Sequence, residues 1–310
     1  MASLSIVAKL LRASQEAYDV TATGAVAIRP PFDQIGWLAP PQGFASGQQN
    51  IDAALVGETE TEIIVAFRGT LPPNSGSPDY KQVLEDWLND LDALLVPGVG
   101  LPGLVHKGFL GSLDALWPDV LGAIAGGKPL YFTGHSKGAA VANLAAARYQ
   151  TQKLPAVAPV VTTFAGPKAG DRDFEIEYDR IIPHSVRYEN RDDLVPHLPP
   201  SANFQRNLGS IPLFQNSAVR AAANTPLGGE GYVSVGELRF IDWNGAIVAN
   251  STTLPLQRYV SLAQKVLTFQ FETIVDDHRI GDGWGYAQAV LPADAKTDIA
   301  QAVPGVSRLA

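Results

Sequence analysis

The sequence predicts an α/β fold in which helices cover both faces of a mostly parallel sheet. Short apolar runs such as Glu62–Phe67 and Pro159–Phe164 are nearly continuous, as in strands that are buried on both faces. Segments with helical periodicity alternate with these runs through the middle of the chain. The content of 46% hydrophobic and 17% charged residues is sufficient for a large core.

Simple local patterns predict the individual elements. Apolar residues spaced three to four apart predict helices, short apolar runs bounded by turns predict strands, and an Asn-Gly pair predicts a hairpin. A cluster of prolines and glycines predicts an irregular loop, and a proline inside a helical pattern favours a kink or a split of the helix. In chain order, these patterns predict a helix over 7–18, a loop over 30–47, hairpin strands 51–57 and 62–67, helices 80–96 and 108–125 (with Pro118), strand 129–133, helix 137–152, strands 159–164 and 184–188, hairpin strands 237–242 and 246–250, and helix 256–268.

Composition excludes several classes of function. The net charge is −8, without a basic arm, which disfavours nucleic acid as a partner. Cysteine is absent, which excludes disulfides, a catalytic thiol and cysteine-based zinc sites. The five histidines show no ligand spacing such as H-E-x-x-H, so we expect neither a metal nor an organic cofactor.

No internal repeat or linker divides the sequence, so we predict one domain over 1–310 with a lid-like insertion at about 71–104. The N-terminus lacks the basic and apolar regions of a secretion signal. The apolar stretch 94–105 is too short and too rich in proline and glycine to span a membrane. We therefore expect no transmembrane segment, and cytoplasmic and secreted locations both stay open.

The candidate nucleophile is Ser136, in the G-x-S-x-G motif of residues 134–138. The motif directly follows the apolar run Leu-Tyr-Phe-Thr and directly precedes an alanine-rich helical segment. A strand that turns abruptly into a helix holds the serine in a strained conformation, in which bulky residues two positions away would clash. The helix N-terminus favours developing negative charge. The alternative is an ordinary glycine-rich turn in which Ser136 caps the helix.

Chain order then selects the base and narrows the acid. In such sites the acid and the histidine follow the serine in that order. His278 is the one histidine far enough downstream, although a solvated loop histidine is the alternative. Asp192 and Asp193 both follow the strand 184–188, and both are eligible from chemistry alone. Asp276 and Asp277 are expected to form a solvated acidic turn beside His278.

Several ordered motifs together resemble those of the class 3, fungal-type triacylglycerol lipases, which have the α/β-hydrolase fold. These motifs are the elbow at 134–138 together with Phe67-Arg68-Gly69-Thr70, Asp86-Trp87-Leu88-Asn89-Asp90-Leu91, Val105-His106-Lys107-Gly108-Phe109, the segment 163–171 and Asp193-Leu194-Val195-Pro196-His197-Leu198-Pro199. The resemblance implies a triad of Ser136, His278 and, through its D-x-V-P pattern, Asp193 rather than Asp192. It also implies an oxyanion hole formed by Thr70 and the backbone of Lys137.

The sequence departs from the family pattern at three places, one of which is Ala139 in place of a common second glycine. Lys137 replaces the usual apolar residue after the nucleophile, and we expect its side chain to be solvated. The stretch 71–85 is longer than the lid region of short-lid members. Trp87, Leu88 and Leu91 are candidates for the mouth of an apolar acyl pocket, with plain core packing as the alternative.

The predicted function is hydrolysis of fatty acyl esters through a serine acyl-enzyme, without a cofactor. The expected partner is a lipid or small-molecule ester, with transient contact to a lipid interface. The alternatives are another acyl hydrolase, such as a phospholipase or a feruloyl-type or polyester esterase, and an inactive α/β-hydrolase that serves as a binding protein.

Overall fold

The computed structural model of the chain describes residues 4–26, 30–47, 51–71, 80–89, 94–215 and 231–292; of residues 86–89, 202, 203 and 205 it describes the backbone. The strands are β1 Gln42–Ser46, β2 Asp52–Glu58, β3 Ile63–Phe67, β4 Leu95–Pro97, β5 Leu104–His106, β6 Leu130–His135, β7 Val160–Phe164, β8 Ser185–Asn190, β9 Glu237–Ile241 and β10 Ile247–Ala249. The helices are α1 Ile6–Glu16, α2 Tyr80–Asn89, α3 Lys107–Ala123, α4 Lys137–Lys153, α5 Arg172–Ile181, α6 Ala202–Leu208, α7 Leu254–Leu267, α8 Phe271–His278 and α9 Gly285–Val290.

Eight strands form one sheet in the order β1-β2-β3-β6-β7-β8-β9-β10. The five strands from β3 to β9 are parallel, and the edge pairs β1–β2, β2–β3 and β9–β10 are antiparallel. The predicted mostly parallel sheet and both predicted hairpins are therefore confirmed. Because parallel strands end at the same edge, the segments that follow β3, β6 and β8 meet above one end of the sheet.

The central strands are apolar on both faces because each face covers its own core. In β3, Ile63, Val65 and Phe67 point into one core, which α3 and α4 cover. Ile64 and Ala66 point into the opposite core, which α1 covers. This alternation explains why the sequence of β3 shows no polar side to its pattern.

A third core lies outside the two cores that flank the sheet, and we call it the cap core. It is built by α2, the segment after β8, α6, α7 and α8. Its buried side chains are Leu84, Leu194, Leu198, Phe204, Leu208, Ile211, Phe214, Leu262, Val266, Ile274 and Val275. The cap core ties the helix α2 of the predicted lid region to the helix α8 that ends at His278.

Three local predictions were wrong. The loop predicted over 30–47 contains β1, whose pairing with β2 outweighs the weak strand propensity of its own residues. Of the helix predicted over 80–96, residues 80–89 are helical, whereas residues 95–97 form β4 with β5. The expected split at Pro118 is absent, because this residue lies on the exposed side of a continuous α3, whereas a kink there stays a prediction.

Helix α5 was missed because only Phe174 and Tyr178 of its ten residues are buried. The lid-like insertion at about 71–104 falls partly outside the described residues. Its role as a lid and the single-domain organisation over 1–310 stay predictions.

Candidate active site

Ser136 lies at the sharp turn between β6 and α4, with φ 56° and ψ −131°. A non-glycine residue at positive φ is strained and persists only where its surroundings enforce it. The flanking glycines allow this turn, because a Cβ at Gly134 would lie 2.4 Å from the backbone of Gly138. A Cβ at Gly138 would lie 2.1 Å from the carbonyl oxygen of Phe67. The spacing of the G-x-S-x-G motif thus has a steric cause in the fold.

The structure brings Ser136, His278 and Asp193 together although 142 residues separate the first two. His278 Nε2 lies 3.0 Å from Ser136 Oγ, and His278 Nδ1 lies 3.0 Å from both carboxylate oxygens of Asp193. Since a carboxylate can only accept, Nδ1 carries the proton and Nε2 is free to accept from the serine hydroxyl. This is the geometry of a nucleophile, a base and an orienting acid.

Asp193 is fully buried, and its carboxylate accepts further hydrogen bonds. Tyr286 in α9 donates its hydroxyl to Asp193 Oδ2 at 2.7 Å, and the backbone N–H of Val195 donates to Oδ1 at 2.9 Å. Burial, and then the charge of Asp193, raise the pKa of Tyr286, so that this phenol stays a donor. No local pattern of the sequence indicates the contact of Tyr286, which depends on the return of α9 to the end of β8.

His135, which occupies the first x position of the G-x-S-x-G motif, supports the backbone of His278. Its Nε2 donates to the carbonyl oxygen of His278 at 2.7 Å, and its Nδ1 accepts from the hydroxyl of Tyr18 at 2.8 Å. Burial, and then the nearby His278, lower the pKa of His135 well below its usual value. His135 is therefore a neutral bridge between α1 and the end of α8, a contact that the sequence prediction missed.

Known proteins resemble this chain over the segment that carries the elbow and the acid. The model of the family described as Lipase (class 3) matches residues 64–203, which include the elbow and Asp193. Over this segment the chain is similar to the class 3 lipases. The resemblance that the sequence motifs indicated is confirmed.

Individual relatives of the class 3 lipase family match parts of the chain. Lipase ZK262.3 of Caenorhabditis elegans is 32% identical over 155 residues, which cover 47% of this chain and 40% of the relative. Phospholipase A1-II 3 of Oryza sativa subsp. indica is 29% identical over 245 residues, covering 64% of this chain and 55% of the relative. The chain thus spans about half the length of the curated relatives that it matches.

The solved structure of Rhizomucor miehei lipase in its native propeptide complex superposes with a TM-score of 0.57 at 23% sequence identity. The match covers 78% of this chain and 69% of that one. The fold is therefore that of the α/β-hydrolases, as predicted.

Two residues of the class 3 lipase pattern flank the nucleophile as candidate oxyanion donors. Lys137 is the first residue of α4, so its N–H has no partner within the helix. Thr70 is exposed and follows Gly69, whose Cβ, if present, would lie 3.0 Å from the Cβ of Ser136. Both candidates are thus at the edge of the sheet where Ser136 lies.

The expectation of a solvated Lys137 side chain was wrong. Its Nζ lies 2.7 Å from Asp52 Oδ1 at the start of β2, and the side chain is 16% exposed. The lysine that replaces an apolar family residue therefore pairs with the antiparallel strand beside the turn. Arg68, two residues before Thr70, is buried and donates to the carbonyl oxygen of Val20.

The candidate pocket residues lie largely outside the described part of the chain. The backbone of Trp87 and Leu88 belongs to α2, but their side chains are outside the described residues, as is all of Leu91. Their role at a pocket stays a prediction. Among the described residues, no helix combines the length and the apolar character that crossing a membrane requires.

The expected solvated turn at Asp276 and Asp277 is also wrong for Asp277. That residue is 5% exposed and lies in the last turn of α8, which ends at His278. Asp192, the rejected candidate for the acid, points away from His278, toward Lys265 and Trp243. The sequence does not reveal that these side chains form one cluster, because its members come from three distant segments: Asp192, Trp243, and Lys265 with Asp277.

Proposed function

We propose that this protein is a serine carboxylic ester hydrolase that cleaves fatty acyl esters. One observation carries the proposal: His278 bridges Ser136 Oγ and the buried carboxylate of Asp193 with hydrogen-bond distances of 3.0 Å on both sides. The strained backbone of Ser136 at the N-terminus of α4 supports the same assignment, because it exposes the hydroxyl where negative charge is stabilised.

The proposed reaction is acyl transfer in two steps. Ser136 Oγ attacks the ester carbonyl while His278 Nε2 takes the hydroxyl proton, and the same imidazolium then protonates the departing alcohol. Asp193 holds the imidazole in the required tautomer and stabilises its charge. Water, deprotonated by His278, attacks the acyl-serine and releases the fatty acid.

The backbone N–H of Thr70, together with its hydroxyl, and the backbone N–H of Lys137 are the proposed donors to the tetrahedral oxyanion. Each follows a parallel strand at the edge where Ser136 stands. One such donor contributes about 3 kcal/mol of transition-state stabilisation. Since these are backbone donors, the pairing of the Lys137 side chain with Asp52 leaves the proposed role unaffected.

A phospholipid is the second candidate substrate. The rice relative phospholipase A1-II 3 matches over 245 residues, a longer stretch than the 155 residues matched by the nematode lipase. The net charge of −8 disfavours binding to an anionic lipid surface. If the substrate is a phospholipid, we therefore expect a zwitterionic headgroup.

The test of the proposed function is hydrolysis of p-nitrophenyl esters from short to long acyl chains by the wild type and by Ser136→Ala. We expect the substitution to lower turnover by a factor on the order of 10⁶. Ser112→Ala is the matched control, because Ser112 is buried in α3, away from the site. Parallel assays with a triacylglycerol emulsion and with phosphatidylcholine vesicles then separate the two candidate substrates.

The outcomes exclude one another. No hydrolysis by the wild type at any chain length supports the alternative of an inactive binding protein. Turnover that is unchanged in Ser136→Ala contradicts the assignment of the nucleophile. Activity on the ester that rises sharply above its solubility limit would indicate that the region 71–104 acts as a lid.

A further inference from the structure

The two segments that carry the acid and the base are joined directly beside those residues. We call residues 190–193, which begin at the last residue of β8, the acid loop. Asn190 Nδ2 donates to the carbonyl oxygen of Asp277 at 2.8 Å, and the N–H of Asp192 donates to Asp277 Oδ2 at 3.2 Å. Asp192 precedes Asp193 and Asp277 precedes His278, so each contact involves a neighbour of a triad residue.

A single lysine stands between these two neighbours. Lys265, in the last turn of α7, places its Nζ 2.8 Å from Asp192 Oδ2 and 3.0 Å from Asp277 Oδ2. The side chains of Asp192 and Asp277 are 0% and 7% exposed, and that of Lys265 is 19% exposed. Trp243 Nε1 donates to the same oxygen of Asp192 at 3.0 Å, and Arg191 Nη1 lies 3.7 Å from Asp277 Oδ1.

Electrostatics makes the lysine necessary for this junction. Lys265 is the cation that contacts both buried carboxylates, which repel each other strongly once it is removed. Burial lowers the pKa of Lys265, but the carboxylates of Asp192 and Asp277 outweigh this effect and raise it. The lysine is therefore charged and holds the acid loop against the end of α8.

We propose that Lys265 is a positioning residue that fixes the distance between Asp193 and His278 by bridging Asp192 and Asp277. The inference rests on the proposed function, since it concerns the geometry of the same triad. Productive proton transfer needs side chains held within about 0.5 Å of the reacting geometry, and such precision depends on the groups that support them. Without the bridge, the acid loop and α8 separate and the His278–Asp193 contact weakens.

The test is the kinetics of Lys265→Met on a soluble p-nitrophenyl ester. We expect kcat to fall 10- to 100-fold while KM stays within twofold, because the bridge orients the triad and does not touch the substrate. Lys265→Arg keeps a cation that can donate to both carboxylates and should recover most of the loss. Lys9→Met is the matched control: Lys9 pairs with Glu62 and is 12% exposed, but lies at the opposite end of the strands.

A second measurement does not depend on turnover. The hydrogen-bonded Nδ1 proton of His278 has a far-downfield proton resonance, which His278→Ala identifies by its loss. We expect Lys265→Met to shift this resonance upfield and Lys9→Met to leave it in place. If Lys265→Met does not fold, Asp192→Asn takes its place with the same expectations, because it weakens the bridge and keeps the side-chain shape.

The outcomes separate the two proposals. If the wild type is inactive on every ester, or Ser136→Ala is fully active, the proposed function fails. If the wild type is active and Ser136→Ala is not, the proposed function holds, and the Lys265 variants then test the further inference separately. An unchanged kcat in Lys265→Met, or a loss of thermal stability without a change in kcat or in the His278 resonance, would overturn it.

Discussion

The nucleophile and the base reach the same site through different kinds of contact. Ser136 is held by backbone sterics whose demands fall on two residues of one five-residue motif, Gly134 and Gly138, at the turn between β6 and α4. His278 is held by polar contacts from distant parts of the chain, through Asp193 on its imidazole and His135 on its carbonyl oxygen. The comparison teaches that one half of a catalytic site can be a local motif while the other half is a product of tertiary structure.

We expect the largest effect on stability and activity from a substitution in the glycine motif that holds Ser136. In Gly138→Ala, the new Cβ would lie 2.1 Å from the carbonyl oxygen of Phe67, where the backbone has no room to move. We expect a loss of about 3 kcal/mol or more in unfolding free energy, together with loss of ester hydrolysis. Thermal and urea unfolding measure this change.

The control for this variant is Gly111→Ala, in α3, where an added Cβ meets nothing within 4 Å. Alanine is the better helix former, so this variant should gain about 0.5–1 kcal/mol. Equal effects of the two substitutions would show that the fold does not require glycine at 138.

We expect an intermediate effect from the loss of the ion pairs of Glu189, the residue directly before the acid loop. Glu189, at the end of β8, accepts from Arg187 Nε at 2.8 Å and contacts Arg258 Nη2 at 2.5 Å. Burial raises the pKa of Glu189, but the guanidinium groups of Arg258 and Arg187 outweigh it and hold the pKa at about 2. Glu189→Gln leaves two cations without a counter-charge and should cost about 3 kcal/mol at neutral pH.

The pH dependence of this cost follows from the depressed pKa. A carboxylate whose pKa is 4.5 unfolded and about 2 folded contributes its full stability above 4.5, and loses it as the pH falls toward 2. The difference in unfolding free energy between wild type and Glu189→Gln should therefore shrink over that window. A difference that stays constant from pH 7 to pH 2 would contradict the role of the charge.

We expect the smallest effect from removal of one hydroxyl group, that of Tyr286, which supports the acid of the triad. Tyr286→Phe removes the donor at 2.7 Å from Asp193 and the acceptor for the N–H of Asn190. We expect kcat for a soluble ester to fall about tenfold with KM unchanged, because a hydrogen bond to a charged group contributes about 1.5–3 kcal/mol. Tyr178→Phe, which removes a buried hydroxyl bonded to Asn143, should lower stability and leave kcat unchanged.

The parts of the fold that sequence predicts are those whose cause is local. The strand β3 is visible because both of its faces are buried, so its residues are apolar without interruption. The strand β7 is visible because its five residues are all β-branched or aromatic. The turn at Ser136 is visible because both of the glycines that it requires lie within the five-residue motif. Residues such as Phe174 and Tyr178 are too few to reveal α5, and β1 becomes a strand only through its pairing with β2.

The support of the base could not be predicted for the same reason. Asp277 looks like part of a charged, solvated turn, because charged side chains are rarely buried without partners. Its partners, Lys265 and Asn190, are 12 and 87 residues away in the chain. Only the folded arrangement shows that this polar segment is an interior junction.

The separate cap core has a consequence for what an inactivation experiment measures. Ser136 belongs to the layers around the sheet, whereas α8, which ends at His278, packs through Ile274 and Val275 into the cap core. The two halves of the triad are therefore anchored in different hydrophobic units. Residual activity after heating reports whether those units are still docked, while circular dichroism reports whether their helices and strands survive. Screening for heat-resistant activity would select substitutions that hold the units together rather than ones that strengthen either alone.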